Sequence, residues 1–81
     1  MKLRVRLFAV AKELAGSDAI ELDIAESATV SDLRAALVEQ LPGLASAVRL
    51  SMVAVNTEYA PNSLTLSSSD DIALIPPVSG G

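Results

Sequence analysis

The chain contains no cysteine and no histidine. Those two absences remove most of the chemistry a small protein can carry by itself. Without cysteine there is no disulfide scaffold, no thiolate nucleophile and no thiolate-held iron–sulfur cluster. Without histidine there is no Ser–His relay and no imidazole base, and with both missing the usual zinc sites are excluded too. Aromatic residues are nearly absent: one Phe, one Tyr and no Trp. Ten acidic residues outnumber six basic ones, for a net charge of -4. A nucleic-acid surface needs a basic face and stacking rings, so that partner is not expected. Long apolar runs are missing as well. Leu7–Ala11 is stopped by Lys12 and Glu13, short of the roughly 7–15 residues of a signal-peptide core and far short of the ~20 of a membrane span. The expectation is a cytoplasmic protein that acts on no membrane.

What remains is a chain of 81 residues, 51% hydrophobic and 20% charged. That is one domain, and packing alone must fold it. Residues 2–8 alternate. Leu3, Val5 and Leu7 share one face and Lys2, Arg4 and Arg6 the other, the pattern of a strand buried on one side. Phe8 then falls in phase with the charged face, and two readings stand. Either the strand ends and Phe8 turns inward, or Phe8 is an exposed aromatic that a partner covers. Ala9–Ala15 reads as a helix stopped by Gly16, with Val10 and Leu14 spaced to share a buried stripe. Residues 19–24 alternate again, with Ile20, Leu22 and Ile24 inward. Thr29 begins the clearest helix, with Asp32 at its third position and Val30, Leu33, Leu37 and Leu41 along one face. Pro42 and Gly43 end it.

Met52–Val55 reads as a strand. Asn56, which tolerates positive φ, closes a tight hairpin into Tyr59. Pro61-Asn62 marks a second turn. Ser67–Asp71 reads as a solvated turn, because two adjacent Asp in a serine-rich loop do not supply the converging ligands of a metal site. Ile72–Ile75 is the last strand, with Ile72 and Leu74 on one face and Ala73 and Ile75 on the other. Pro76 and Pro77 cannot donate to a sheet ladder and end it. The fold class is α+β: a mixed sheet of about five strands with one long helix packed on one face and the other face open. The domain spans 1–77, and 78–81 form a flexible tail.

The chemistry lies in that tail. Two prolines stiffen the exit from the sheet. After Val78 and Ser79 the side chains vanish at Gly80 and Gly81. Such a thread fits a channel too narrow for a Cβ atom, and the group it delivers is the α-carboxylate of Gly81. A carboxylate is a poor electrophile until it is activated. Adenylation by ATP makes a mixed anhydride, which a sulfur donor converts to a thiocarboxylate or an amine to a conjugate. Neither step needs a catalytic side chain in the carrier, in keeping with the missing Cys and His.

The whole chain resembles the small, sulfur-carrying subunit of molybdopterin synthase, the MoaD family, with its ubiquitin-like β-grasp fold. The resemblance rests on Leu7-Phe8-Ala9 followed by Lys12-Glu13-Leu14-Ala15-Gly16, on Thr29-Val30 with Asp32-Leu33, on Val55-Asn56, and most of all on Ile75-Pro76-Pro77-Val78-Ser79-Gly80-Gly81. It implies that a MoeB-like adenylating enzyme activates Gly81 with ATP and that sulfur arrives as a C-terminal thiocarboxylate. The tail then enters the large, MoaE-like synthase subunit and gives sulfur to cyclic pyranopterin monophosphate, a step in molybdenum cofactor biosynthesis. The family assembly is a heterotetramer. No cofactor is held permanently; the acyl-adenylate and the thiocarboxylate are transient. The carrier is not itself an enzyme, has no catalytic residue and holds no metal. The resemblance also implies a partner-binding surface of Phe8, Tyr59 and Ile75, continued by Pro76 and Pro77. Tyr59 departs from the aliphatic residue common there. Competing readings are a sulfur carrier for thiamine or cysteine synthesis, a ubiquitin-like protein modifier, and an interaction domain with an incidental tail.

Overall fold

The computed structural model describes residues 1–77, and Val78, Ser79, Gly80 and Gly81, named above as the reactive tail, lie outside the described residues. Five strands form one sheet: β1 (Lys2–Leu7), β2 (Ala19–Asp23), β3 (Met52–Val55), β4 (Glu58–Tyr59) and β5 (Ile72–Ile75). Their spatial order is β2-β1-β5-β3-β4. The first and last strands are parallel neighbours at the centre, with Val5 opposite Ile72 and Leu7 opposite Leu74. The other pairings are antiparallel. This is the mixed sheet expected.

One sheet face carries the core. Leu3, Val5 and Leu7 point into it from β1, Val53 and Val55 from β3, and Ile72 and Leu74 from β5. Helix α2 (Val30–Gln40) lies over them and buries Val30, Leu33 and Leu37 completely. Its start follows from two residues. The Thr29 hydroxyl accepts from the Asp32 amide at 3.4 Å, and the Asp32 carboxylate accepts from the Thr29 amide at 2.9 Å. Two amides that the first turn cannot pair are thereby satisfied, and the carboxylate sits at the positive end of the helix dipole.

Two expectations are corrected. First, α2 is not the only helix beyond the short one. After Leu41, a 3-10 turn over Pro42–Leu44 leads into α3 (Ala45–Leu50), which buries Val48. Proline and glycine end α2 but also open the next turn, where a proline at the first position costs no hydrogen bond. Arg34 ties the pair together: its guanidinium donates to the Val48 carbonyl at 2.6 Å and to Asn62 Oδ1 at 2.9 Å.

Second, Val10 and Leu14 do not form a buried stripe. In α1 (Ala9–Ala15) the inward residues are Ala11 and Ala15, while Val10 and Leu14 are 57% and 56% exposed. The spacing is the same, but the face is rotated by one residue, about 100°. The reason lies at the junction. Phe8 keeps the extended backbone of β1, and Ala9, the first residue of α1, then adopts φ 52. A left-handed alanine costs on the order of 1 kcal/mol. It redirects the chain off the sheet and brings the small side chains against the core. Gly16 ends α1 at φ 71, as expected of a left-handed cap.

Candidate functional site

The second sheet face has no helix over it. Along β1 it carries Lys2, Arg4 and Arg6, and along β2 their register partners Asp23, Glu21 and Ala19. Opposite charges stand side by side, so this half of the face balances its own charge. The other half is apolar. Tyr59 pairs with Ala54, Ala54 with Ala73, and Ala73 with Arg6, so one row crosses four strands. One step along, Ile75 stands beside Met52.

Small residues in the middle of a row and large ones at its margins make a depression. A hollow of about 330 Å³ lies here, walled by Phe8, Tyr59 and Ile75 over Ala54 and Ala73, with Arg6 along one side. Phe8 is 41% exposed and Tyr59 62%. The strand's alternation therefore continues through Phe8, and of the two readings the exposed aromatic is the one adopted. Ile75 falls on the face that alternation assigned to it, opposite buried Ile72 and Leu74. The structure thus brings Phe8, Tyr59 and Ile75 to one hollow. Pro76 and Pro77 leave the sheet beside it and line a separate groove on the helical side.

Two residues of this surface are not among those the sequence marks for partner binding. Met52 is 48% exposed and reaches the apolar half only through its pairing with Ile75. Arg6 donates to Asp71 Oδ2 at 2.9 Å, which fixes its guanidinium at the border between the apolar and charged halves. Both follow from cross-strand register, which links distant stretches of chain.

The hairpin that presents Tyr59 is held in an unfavourable conformation. Asn56 and Thr57 have φ 52 and 72. Two positive angles in succession suit a tight hairpin, but a β-branched Thr resists them. The Asn56 side chain compensates. Its amide donates to Asp70 Oδ1 at 3.0 Å, and its carbonyl accepts from the Asp71 amide at 2.9 Å. Asp70 also accepts from the Ser67 amide at 2.7 Å. The Asp70 carboxylate and the Asp71 backbone thus tie the Ser67–Asp71 turn to the hairpin, while the Asp71 carboxylate is engaged by Arg6. Among the described residues no group of three or more His, Cys, Asp or Glu is placed to hold a metal. No helix of the described residues is long and apolar enough to cross a membrane.

A small β-grasp domain with an exposed hollow, walled by Phe8, Tyr59 and Ile75 and edged by Arg6, Thr57 and Asp71, at the root of a Gly-Gly segment has the surface of a carrier that partner proteins handle. Comparison with known proteins places it more closely: residues 5–81 match the ThiS family, and the chain belongs to that family. The molybdopterin synthase sulfur carrier subunit of Dictyostelium discoideum is 37% identical, over 99% of this chain and 96% of that protein. The crystal structure of small archaeal modifier protein 1 from Haloferax volcanii superposes with a TM-score of 0.85 at 34% identity, over 100% of both chains. A complex of subunits 1 and 2 of the molybdopterin-converting factor from Helicobacter pylori contains a chain similar over 100% of both lengths, with a TM-score of 0.71 and 28% identity. The expected β-grasp fold and the resemblance to the small synthase subunits are both borne out.

Proposed function

We propose that the chain is the sulfur carrier subunit of a molybdopterin synthase, with Gly81 as the group that is loaded. The observation that carries this is the hollow of Phe8, Tyr59 and Ile75 at the base of a Pro-Pro…Gly-Gly segment, in a chain similar along its length to proteins of that name. The Gly81 carboxylate attacks the α-phosphorus of ATP and displaces pyrophosphate. A sulfur nucleophile then attacks the acyl carbon, AMP leaves, and a thiocarboxylate remains. Its sulfur attacks an electrophilic carbon of cyclic pyranopterin monophosphate, and an oxygen substituent leaves that carbon. Hydrolysis of the resulting thioester leaves sulfur on the product and returns the carboxylate. A dithiolene holds two sulfurs, so two loaded carriers serve each product.

The chain's own part is recognition and delivery. The hollow docks the carrier, and the prolines lead from the sheet into the segment that the partner receives. Catalytic groups belong to the large subunit and to a MoeB-like adenylating enzyme. The large subunit as partner is supported by the similarity to one chain of the subunit 1 and 2 complex.

Reconstitution tests the reading. Carrier bearing a Gly81 thiocarboxylate, mixed with its large subunit and the sulfur-free pterin, is expected to form the dithiolene with two carriers consumed per product. No product, from a large subunit shown to work with another carrier, contradicts it. Attachment to protein lysines instead moves the chain to the modifier reading, which the likeness to the archaeal modifier supports.

A further inference from the structure

A second apolar surface lies on the opposite side of the tail root. Helices α1 and α3 leave a groove of about 310 Å³ between them, lined by Val10, Ala47, Leu50, Pro76 and Pro77. Val10 is 57% exposed and Leu50 61%. Among the described residues no charged side chain lines it. Two of the larger aliphatic side chains in this part of the molecule therefore face outward, while the smaller Ala11 faces the core. The groove and the open-face hollow draw on neighbouring stretches of chain at two points. Phe8 walls the hollow and Val10 the groove; Ile75 walls the hollow and Pro76 the groove. The two surfaces meet where the tail begins.

Reach decides what covers the groove. If Gly81 is the reacting end, as the proposed function has it, four residues separate Pro77 from its carboxylate. Fully extended they span at most about 14 Å. A catalytic channel that encloses a strand has a wall on each side of it, and with so short a thread those walls press against the carrier's own surface. One wall meets the hollow. The wall opposite meets the α1–α3 groove.

We infer that the large synthase subunit holds the carrier from both sides of the tail, seating an aliphatic or aromatic side chain in the groove of Val10, Leu50, Pro76 and Pro77. The hollow and the groove act as two jaws that fix the direction of the thread. This rests on the proposed function and extends it to a surface that the sheet-face reading leaves unused. An apolar anchor enclosed at an interface is the kind of contact that dominates binding energy.

Binding of full-length carrier to its large subunit, measured by calorimetry, tests the inference. Val10→Glu and Leu50→Glu are each expected to weaken the affinity at least tenfold, with far-UV circular dichroism and melting temperature near those of the parent chain. Val10→Gln and Leu50→Gln serve if a new carboxylate disturbs folding, with smaller losses in the same direction. Ile75→Asp, run in parallel, separates the two claims. Full affinity of both groove variants, with binding lost in Ile75→Asp, overturns the groove and leaves the proposed function standing. Groove variants that bind the large subunit fully but are no longer adenylated also overturn it, since the groove then belongs to the activating enzyme.

Discussion

Removing Gly81 is expected to abolish activation and leave the fold intact. The core lies within the described residues, in side chains from Leu3 to Leu74, and Gly81 contributes no side chain to it. Deletion draws the terminal carboxylate back by one residue, about 3.5 Å. Misplacing a reacting group by even 1 Å can cost on the order of a hundredfold. ATP-dependent adenylation should therefore fall more than a hundredfold, to background. Thermal melting followed by circular dichroism should coincide with that of the full chain. Adenylation of the shortened chain at the parent rate contradicts the assignment of Gly81.

Ile75→Asp and Leu74→Asp, adjacent in β5, should give opposite results. Ile75 walls the open-face hollow beside Phe8 and Tyr59. A carboxylate there loses its water when the partner docks, and the cation that lines the hollow, Arg6, is already paired with Asp71. A buried anchor of this kind is worth about 2 kcal/mol or more, roughly 30-fold in Kd. Binding to the large subunit should weaken by at least that factor while the melting temperature shifts little. Leu74 is 1% exposed on the core face. An unpaired charge there costs several kcal/mol, a large share of the ~5–15 kcal/mol that holds a domain together, so that variant should fail to fold. Collapse of Ile75→Asp in the same way would mean that its side chain belongs to the core.

The parts of this molecule that were legible in the sequence are those governed by short-range rules. Alternation placed Leu3, Val5 and Leu7 inward and Ile75 outward. Thr29 and Asp32 marked the start of α2, and Asn56 marked the hairpin. The illegible parts depend on contacts far apart in the chain. Met52 joins the candidate site only because β3 runs antiparallel to β5 in a particular register. Helix α3 has no side-chain cap and a single fully buried residue, so periodicity has almost nothing to detect. In α1, the i, i+4 spacing pointed to Val10 and Leu14, but the left-handed turn at Ala9 sets which face meets the core, and it selects the alanines. Phe8 was ambiguous for the same reason: its direction depends on whether the backbone turns before it or after it.

The most direct test of the central claim is the intact mass of the chain after incubation with ATP, cysteine, a thiol reductant that releases the desulfurase's persulfide sulfur as sulfide, and its adenylating enzyme and cysteine desulfurase. The account predicts a rise equal to one oxygen exchanged for sulfur, located to Gly81 by fragmentation. An unchanged mass, with both enzymes shown to be active, would contradict it.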